Sequence, residues 1–382
     1  MKKTYGILVC NNLNNVFNLD RDLYEKMNKE LSNFFILDLS FIYGSKLEKY
    51  PKSFKIFRPK SFNEVNNFLK YSLNIFINHI PRNFKYIKAH IFFNKKNFIN
   101  IEINRGNSIQ LAEQFYKKKN YLFNLKKIAI RGFYKFLGLI RLVKNYDYLF
   151  ISQKNIKKYY WNKRDKLLNN IFSTKIFYKH QKIIEINDKA ADLSFNKKQT
   201  KEYIVYVDTP LSKYGSSHIP GIDLPDKYER KKFYKLLSKK LLFLSKKYKR
   251  KVVICLHPKT NSKDVKVYFK NFICKKFNLW KYLNKAFLTT SIASTSLAYS
   301  IYNKKKILLF DSSHLGKFLR YRSQVLTINY KINTINLDDM KKITLNLNNI
   351  NTVETKKILN INVQLSQKKR GVNKIIDTIK TL

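Results

Sequence analysis

The sequence predicts an α/β protein made of two Rossmann-like domains that face a cleft. Short apolar runs typical of strands alternate with amphipathic runs typical of helices, which is the pattern of parallel sheets covered on both faces. A length of 382 residues suits two such domains, each with its own core. A hydrophobic content of 44% supplies both cores and excludes a disordered chain.

The first half of the chain is predicted to form an N-terminal α/β domain, residues 1–195. Its predicted strands are Gly6–Cys10, Phe35–Leu39, Phe54–Pro59, Phe98–Ile103 and Tyr146–Ser152. Helical periodicity between them covers Asp20–Phe34, Phe62–Leu73 and Tyr86–Phe93.

The second half repeats this alternation in a predicted second domain, residues 196–330, followed by a basic helical tail, residues 331–382. Its predicted strands are Tyr203–Asp208, a run through Val252, Ala286–Thr289 and Lys306–Phe310, and its helices are Glu229–Tyr248 and Ser294–Tyr302. Helical spacing in the tail is clearest over Val372–Ile379.

The formal net charge of +52 attracts polyanions of several kinds: anionic lipid, nucleic acid or a sugar nucleotide. Part of the lysine excess can reflect AT-rich codons, since Asn, Ile, Phe and Tyr are over-used as well. The lysines are spread over every predicted helix, and no nucleic-acid motif is found. A membrane surface, a nucleic acid and a merely solvated lysine surface therefore remain open, with nucleic acid disfavoured.

The three cysteines and the N-terminus indicate a protein of the cytoplasm. Cys10 and Cys255 lie in apolar runs and Cys274 stands apart, as expected of reduced thiols. The first apolar run is too short for a signal peptide, and no stretch approaches 18 uncharged apolar residues.

His257 is the first candidate functional residue, because it follows the apolar run Val252–Leu256. Ligands of open α/β sheets bind at the carboxyl ends of strands, and an imidazole there can hydrogen-bond a phosphate or carry a proton. Pro258 comes directly after it. The alternative is an ordinary loop histidine at the end of a strand.

A second candidate is the hydroxyl-rich segment Ser291–Ser296, which leads from one predicted strand into a helix. Helix N-termini bind anions through free N–H groups, so Ser291, Ser294 and Thr295 are candidate phosphate contacts. We expect this segment and His257, on neighbouring strand ends, to hold one phosphate together. Simple helix capping is the alternative.

Two acidic residues lie near strand ends. Asp208 closes its strand beside a Gly/Pro-rich loop that carries His218 and Asp223, and it either orients a sugar hydroxyl or is a turn residue. In the first domain, Glu102 and the turn Asn104–Asn107 mark a place for an acceptor-side base. Glu102 alternates with apolar neighbours, which favours a solvent-facing strand residue, so the base stays unidentified.

The segment Lys126–Val143 is basic and amphipathic. On a helical wheel one side is apolar, and the other is cationic, with Lys127, Arg131, Lys135 and Arg141. Such a helix can lie in an anionic membrane interface or cover a core with a solvated lysine face. The chain shows no P-loop, no glycine-rich dinucleotide fingerprint and no Cys/His set with metal spacing, so we predict no metal and no cofactor.

Residues 200–312 resemble the nucleotide-binding domain of bacterial surface-polysaccharide glycosyltransferases with the GT-B fold. The similarity is to sialyltransferase, polysialyltransferase and Kdo-transferase-like families, which share a His-Pro motif and a Ser-Ser/Thr motif; here these are His257-Pro258 and Ser294-Thr295. The resemblance implies that both motifs contact the CMP part of a CMP-sugar donor, with His257 at its phosphate. The acidic-acidic-Gly motif that supplies the general base in those families is not found.

This resemblance implies a cytoplasmic glycosyltransferase, peripheral to the membrane, of lipopolysaccharide, capsule or related glycan assembly. The second domain would bind a nucleotide-sugar donor through His257, Pro258, Ser294, Thr295, Ser291 and Asp208, with His257 catalytic. The first domain would bind a glycan or lipid-linked acceptor. The alternatives are a nucleic-acid-binding protein and an inactive glycosyltransferase-like protein, the latter favoured by the missing acidic motif.

Overall fold

A computed structural model of the chain describes most residues outside its longest loops. The described residues are 2–10, 20–45, 50–95, 97–105, 129–130, 132–134, 136–138, 140, 142–143, 146–152, 182–194, 200–211, 223–258, 260–276, 279–339 and 370–382. They form two compact α/β units.

The first unit contains a sheet of seven parallel strands in the order β3-β2-β1-β4-β5-β6-β7. The strands are β1 Lys2–Val9, β2 Phe34–Asp38, β3 Ile56–Phe57, β4 Ser72–Asn78, β5 Phe98–Asn104, β6 Tyr148–Ile151 and β7 Lys182–Glu185. Helices α1 Arg21–Glu30, α2 Phe62–Leu69 and α3 Ile87–Phe92 connect them, with a 3₁₀ turn at Phe84–Tyr86. Apolar side chains on both faces of β1 and β4 are buried, as in other parallel sheets.

Two strands of this sheet, β4 and β7, were not expected from the sequence, and β4 lies at its centre. The predicted helix Phe62–Leu73 ends at Leu69, and Ser72–Asn78 forms β4 beside β1. Ile75, Phe76 and Ile77 are all buried, so both faces of the segment are covered, which a strand within a parallel sheet achieves and a surface helix does not.

The second unit contains six parallel strands in the order β10-β9-β8-β11-β12-β13. They are β8 Tyr203–Val207, β9 Lys251–Leu256, β10 Ile273–Lys276, β11 Ala286–Ser291, β12 Lys306–Asp311 and β13 Asn333–Asn336. The helices are α4 Lys189–Ser194, α5 Lys227–Tyr248, α6 Ser262–Lys266, α7 Leu279–Asn284, α8 Leu297–Tyr302 and α9 Gly316–Tyr330, with a 3₁₀ turn at Ser313–Leu315. The α/β fold predicted for both halves is confirmed.

The division between the units lies between Asn187 and Asp188, and the chain returns to the first unit at its end. Helix α10, Gly371–Thr381, buries Ile375, Ile376 and Ile379 in the core of the first unit. This helix belongs to the predicted basic tail, and its apolar stripe explains why it packs on a domain core.

Candidate functional site

Three strand ends meet at the carboxyl edge of the second sheet, where its order reverses. From β8 the chain adds β9 and then β10 on one side, and it crosses over to β11 on the other. The carboxyl edge at such a switch point is where open α/β sheets bind ligands. Asp208 follows β8, His257 follows β9, and Ile292 follows β11.

Asp208 lies buried at this edge and holds the loop that follows β9. Its Oδ2 accepts hydrogen bonds from the backbone N–H of His257 (3.1 Å) and from the hydroxyl of Thr260 (2.6 Å). Burial raises the pKa of the carboxyl to about 6, although these hydrogen bonds act in the opposite direction. The contacts make Asp208 a positioning residue, while direct contact with a donor stays a prediction.

The loop itself is a tight turn that begins with the His-Pro pair. The N–H of Thr260 donates to the carbonyl of His257 (2.9 Å), and the ammonium of Lys276 on β10 donates to the carbonyl of Thr260 (3.1 Å). His257 is half-buried and Pro258 is exposed. The turn is therefore fixed from its buried side by Asp208, while the imidazole stands at the edge of the sheet.

The hydroxyl-rich segment after β11 is divided between core and surface. Ser291 is fully buried, and its hydroxyl donates to the carbonyl of Val207 (2.8 Å), which ties β11 to β8. Ser294 and Thr295 are half-buried in a turn before α8, and the Ser294 hydroxyl accepts from the N–H of Ser296 (3.2 Å). Contact of Ser294 and Thr295 with a ligand stays a prediction, as does that of Ser291.

The two motifs do not lie on neighbouring strands, contrary to the expectation from the sequence. β8 separates β9 from β11, so their ends are about 10 Å apart at the usual strand spacing. One phosphate is too small to bridge the strand ends themselves. The hydroxyl of Thr209, the second residue after β8, donates to the carbonyl of Ala293 at the limiting distance of 3.5 Å. The edge of β8 therefore contacts both motifs.

The remaining residues singled out in the sequence occupy other places. Asp223 accepts from the N–H of Lys317 (3.3 Å) at the start of α9, and His218 lies outside the described residues. In the first unit, Glu102 is half-buried and burial raises its pKa, with the charge of Arg82 acting against this. Arg105 of the predicted turn Asn104–Asn107 is buried and forms ion pairs, and Gly106 and Asn107 lie outside the described residues.

Part of the predicted basic helix lies among the described residues. Tyr134, Leu137 and Val143 form a small buried cluster, whereas Phe136 and Ile140 are about half exposed, at 55% and 47%. The four cationic residues of the predicted polar face, Lys127, Arg131, Lys135 and Arg141, lie outside the described residues. In the described part of the chain, no helix is long and apolar enough to cross a membrane.

No group of three or more His, Cys, Asp or Glu side chains is arranged to hold a metal ion among the described residues. The sequence also overlooked Thr260, whose hydroxyl completes the contact with Asp208. Its only signal in the sequence is a hydroxyl three residues after His257. The role of that hydroxyl becomes visible only when β8 brings Asp208 beside it.

Comparison with known proteins finds structural similarity only. No protein-family model matches the chain, and no curated protein matches it. The wall teichoic acid polymerase TagF is similar over 100% of this chain and 89% of its own, with 13% identity and a TM-score of 0.49.

Two further solved structures are similar over nearly the whole chain. MurG of Acinetobacter baumannii has 7% identity and a TM-score of 0.41, with 100% of both chains covered. The UDP-GlcNAc 2-epimerase of Methanocaldococcus jannaschii, solved with UDP-GlcNAc and UDP, has 10% identity and a TM-score of 0.42, with 99% and 100% covered. At such low identities and TM-scores these similarities assign no activity to the chain.

Proposed function

We propose that this protein is a glycosyltransferase of surface-glycan assembly that uses a nucleotide-activated, CMP-linked sugar. Its second unit would bind the donor, and its first unit a glycan or lipid-linked acceptor. The observation that carries this proposal is the buried Asp208 carboxylate, which holds the His257-Pro258 turn at the switch point of the second sheet.

The cost of burying the Asp208 carboxylate supports a functional role for the turn that begins at His257. A carboxylate buried at a strand end is unfavourable unless hydrogen bonds compensate for its lost hydration. Here Oδ2 receives two such bonds, both from the loop that begins with His257. The arrangement orders a polar loop at the ligand-binding edge of the sheet, and a loop of that kind serves binding better than packing.

The chemistry available at the edge suits departure of a phosphate. When the bond between a sugar and a nucleotide phosphate breaks, negative charge grows on the phosphate oxygens, and hydrogen-bond donors placed there stabilise it. His257 can donate from its imidazole, and the turn of Ser294 and Thr295 offers hydroxyl and backbone groups. Separation of the two motifs by β8 fits a nucleotide phosphate with its sugar better than a lone phosphate.

A nucleotide screen tests this proposal directly. We expect CMP and CMP-sugars to raise the melting temperature of the purified protein more than UDP, GDP or their sugars, because a ligand that binds only the folded state stabilises it. Absence of stabilisation by every nucleotide would remove the proposal.

Substitution of the imidazole tests the role of His257. His257→Gln should reduce turnover of the bound donor about 10²–10³-fold, the usual loss when one donor to a developing oxyanion is removed. His90→Gln is a matched control, because His90 lies in α3 of the first unit with its ring bonded to the carbonyl of Pro81. Equal turnover by wild type and His257→Gln would refute the catalytic assignment.

A further inference from the structure

The first sheet has a switch point of its own, and a histidine stands at its carboxyl edge. From β1 the chain adds β2 and β3 on one side and crosses to β4 on the other. His79 is the first residue after β4, and its backbone N–H donates to the carbonyl of Leu8 on β1 (3.0 Å). This bond fixes the backbone of His79 beside β1 at the carboxyl edge of the sheet, where such sheets bind ligands.

A buried tyrosine holds this imidazole in place. The Tyr24 hydroxyl lies 2.7 Å from Nε2 of His79, and the two rings meet edge to face with centroids 6.0 Å apart. Tyr24 is fully buried on α1, whereas His79 is half-buried. One ring nitrogen is thus occupied on the protein side, and the residue as a whole keeps partial exposure to solvent.

An ion-pair cluster fixes the helix that carries Tyr24. Arg105, directly after β5, is buried and donates to Asp20 (3.3 Å) and to Asp22 (3.1 Å) at the start of α1. The two carboxylates and the guanidinium all influence the pKa of Tyr24. These charges act on the Tyr24 hydroxyl, whereas burial is the cause of the pKa shift of His79.

We propose that the first unit binds a hydroxyl-bearing acceptor at this edge and that His79 accepts the proton of the attacking hydroxyl. The inference rests on the proposed function and supplies its missing base. With Nε2–H donating to Tyr24, Nδ1 presents its lone pair to the acceptor. The acceptor oxygen bonds to the transferred carbon as the bond from that carbon to the donor phosphate breaks. The phosphate keeps the electron pair, and the proton ends on Nδ1.

The protonation state of His79 agrees with this role. Burial lowers the pKa of the imidazole to about 4, so the ring is neutral at physiological pH and carries one unprotonated nitrogen. The Nε2 atom of His79 contacts the titratable Tyr24 hydroxyl, whose own charged neighbours are Asp20 and Asp22 on or before α1 and Arg105 after β5. The pKa of Tyr24 is raised well above its ordinary value, chiefly by burial, so Tyr24 stays neutral as well.

Other groups of the first unit fit this role less well. Burial raises the pKa of the Cys10 thiol, directly after β1, to about 12, so it carries its proton at neutral pH. Glu102 follows Ile101, which pairs with Ile77 near the end of β4, and its carboxyl interacts with Arg82 and Tyr146. His90 is buried in α3 and bonded to Pro81. Among these groups, only His79 is a neutral acceptor at the switch point.

Nucleotide release from a panel of CMP-, UDP- and GDP-sugars tests the inference, with water in the place of the acceptor. His79→Gln should lower the rate of release about 10²–10⁴-fold, the usual contribution of a general base. Its CMP-induced thermal shift should equal that of wild type, because the donor site lies in the other unit. Release from His90→Gln should be unchanged. Undiminished release from His79→Gln overturns the inference.

A second measurement separates this inference from the proposed function. Hydrogen exchange at the imidazole C2 position, followed by mass spectrometry, reports the accessibility of each histidine without any substrate. Burial lowers the pKa of both His79 and His90 to about 4, so a difference in their exchange reflects exposure. We expect His79 to exchange faster. If His79 exchanges as slowly as His90, its ring is inaccessible to solvent and to an acceptor. That result would overturn the inference even if nucleotides bind.

Discussion

Asp208 shows how one buried carboxylate can organise a strand end. It lies on the same face of β8 as Tyr206, two residues earlier, and both side chains are buried. Asp208 raises the pKa of Tyr206 further above its ordinary value, after burial itself. The Tyr206 hydroxyl makes no hydrogen bond among the described residues, and the backbone of Thr209 also lowers the pKa of the Asp208 carboxyl. The stability of this edge should therefore depend on the charge of Asp208.

Replacing Asp208 with Asn should change how stability depends on pH. Burial raises its pKa from 3.8 to about 6 in the folded state, so between these values the folded state holds a proton that the unfolded state has lost. Stability should therefore fall as pH rises from about 4 to about 6, by up to about 3 kcal/mol from this group. The Asp208→Asn variant should lack this fall, which melting temperatures across that range will measure.

Asp338→Asn is the matched control, because its effect has the opposite sign. Burial acts to raise the pKa of Asp338, but hydrogen bonds from Ser312 and Ser313 outweigh it and leave the pKa lowered. The wild type should therefore lose stability relative to Asp338→Asn as the pH falls through the acid range. Identical pH profiles for Asp208→Asn and wild type would show that Asp208 is not strained by burial.

At the level of single residues, the sequence predicted positions better than contacts. Asp208 and His257 were both expected at strand ends, because each follows a run of buried apolar residues, and both lie there. The bonds from Asp208 to the His257 turn were not predictable, since they join residues 49 and 52 positions apart. The hydrogen bond from the Ser291 hydroxyl to the carbonyl of Val207 was not predictable either, and contact of Ser291 with a ligand stays a prediction.

Among the secondary-structure elements, β4 is the one whose absence from the prediction matters most. Asn74 and Asn78 interrupt its apolar residues, and the helical pattern of α2 runs up to it, so periodicity alone continued the helix. Tertiary pairing decides in favour of a strand: Gly6 of β1 lies opposite Phe76 of β4. Because β4 was not predicted, the sequence did not show that His79 follows a strand, and His79 stood as one of several scattered histidines.

The pairing of Gly6 with Phe76 can be tested with a double-mutant cycle. A Cβ added at Gly6 would lie 2.7 Å from the carbonyl oxygen of Phe35 and 2.7 Å from the ring of Phe76. Gly6→Ala should therefore destabilise the protein by about 1–3 kcal/mol, as overpacking of a core does. Urea denaturation of Gly6→Ala, Phe76→Ala and the double variant measures this.

The double variant should lose less stability than the sum of the two single variants. Removal of the Phe76 ring relieves one of the two close contacts of the new methyl group, so the two sites must couple. The contact with the carbonyl of Phe35 remains, and relief should be partial. Strictly additive losses would contradict the register of β1 and β4.

Strand order was the feature that the sequence could least provide. The His-Pro and Ser/Thr segments are separated along the chain by β10 and two helices. The local sequence does not determine on which side of β8 each strand pairs. The sheet places β9 and β11 on opposite sides of β8. The sequence predicted one site at two adjacent strand ends. In the sheet the two motifs lie on either side of β8, with Asp208 between them.

On the scale of the whole molecule, the two units repeat one arrangement. Each has a parallel sheet with a switch point beside its first strand, and each places a histidine directly after a strand next to that first strand. His79 follows β4, and His257 follows β9. Alternating patterns were sufficient to predict two α/β units. The return of α10 to the first unit depends on a distant contact and was not predictable.

The charge of the molecule has a further consequence for its partners. A formal charge of +52 attracts duplex DNA and anionic lipid alike, so charge alone separates neither. The first unit also exposes apolar side chains next to the buried cluster of Tyr134, Leu137 and Val143. Apolar side chains contribute to binding at a lipid interface but not to the attraction of DNA phosphates. Removing them at constant charge therefore distinguishes the two partners.

We expect a triple variant, Phe136→Ser, Ile140→Ser and Leu142→Ser, to bind phosphatidylglycerol vesicles about tenfold more weakly than wild type, or ~1.4 kcal/mol. These residues are 55%, 47% and 44% exposed, so the substitutions should leave the fold intact. Val267→Ser with Ile328→Ser, at positions 62% and 74% exposed in the second unit, is the control and should bind like wild type. Vesicle co-sedimentation measures this, and duplex DNA binding should be equal in all three proteins. Equal vesicle binding by the triple variant would mean that charge alone brings this protein to a membrane.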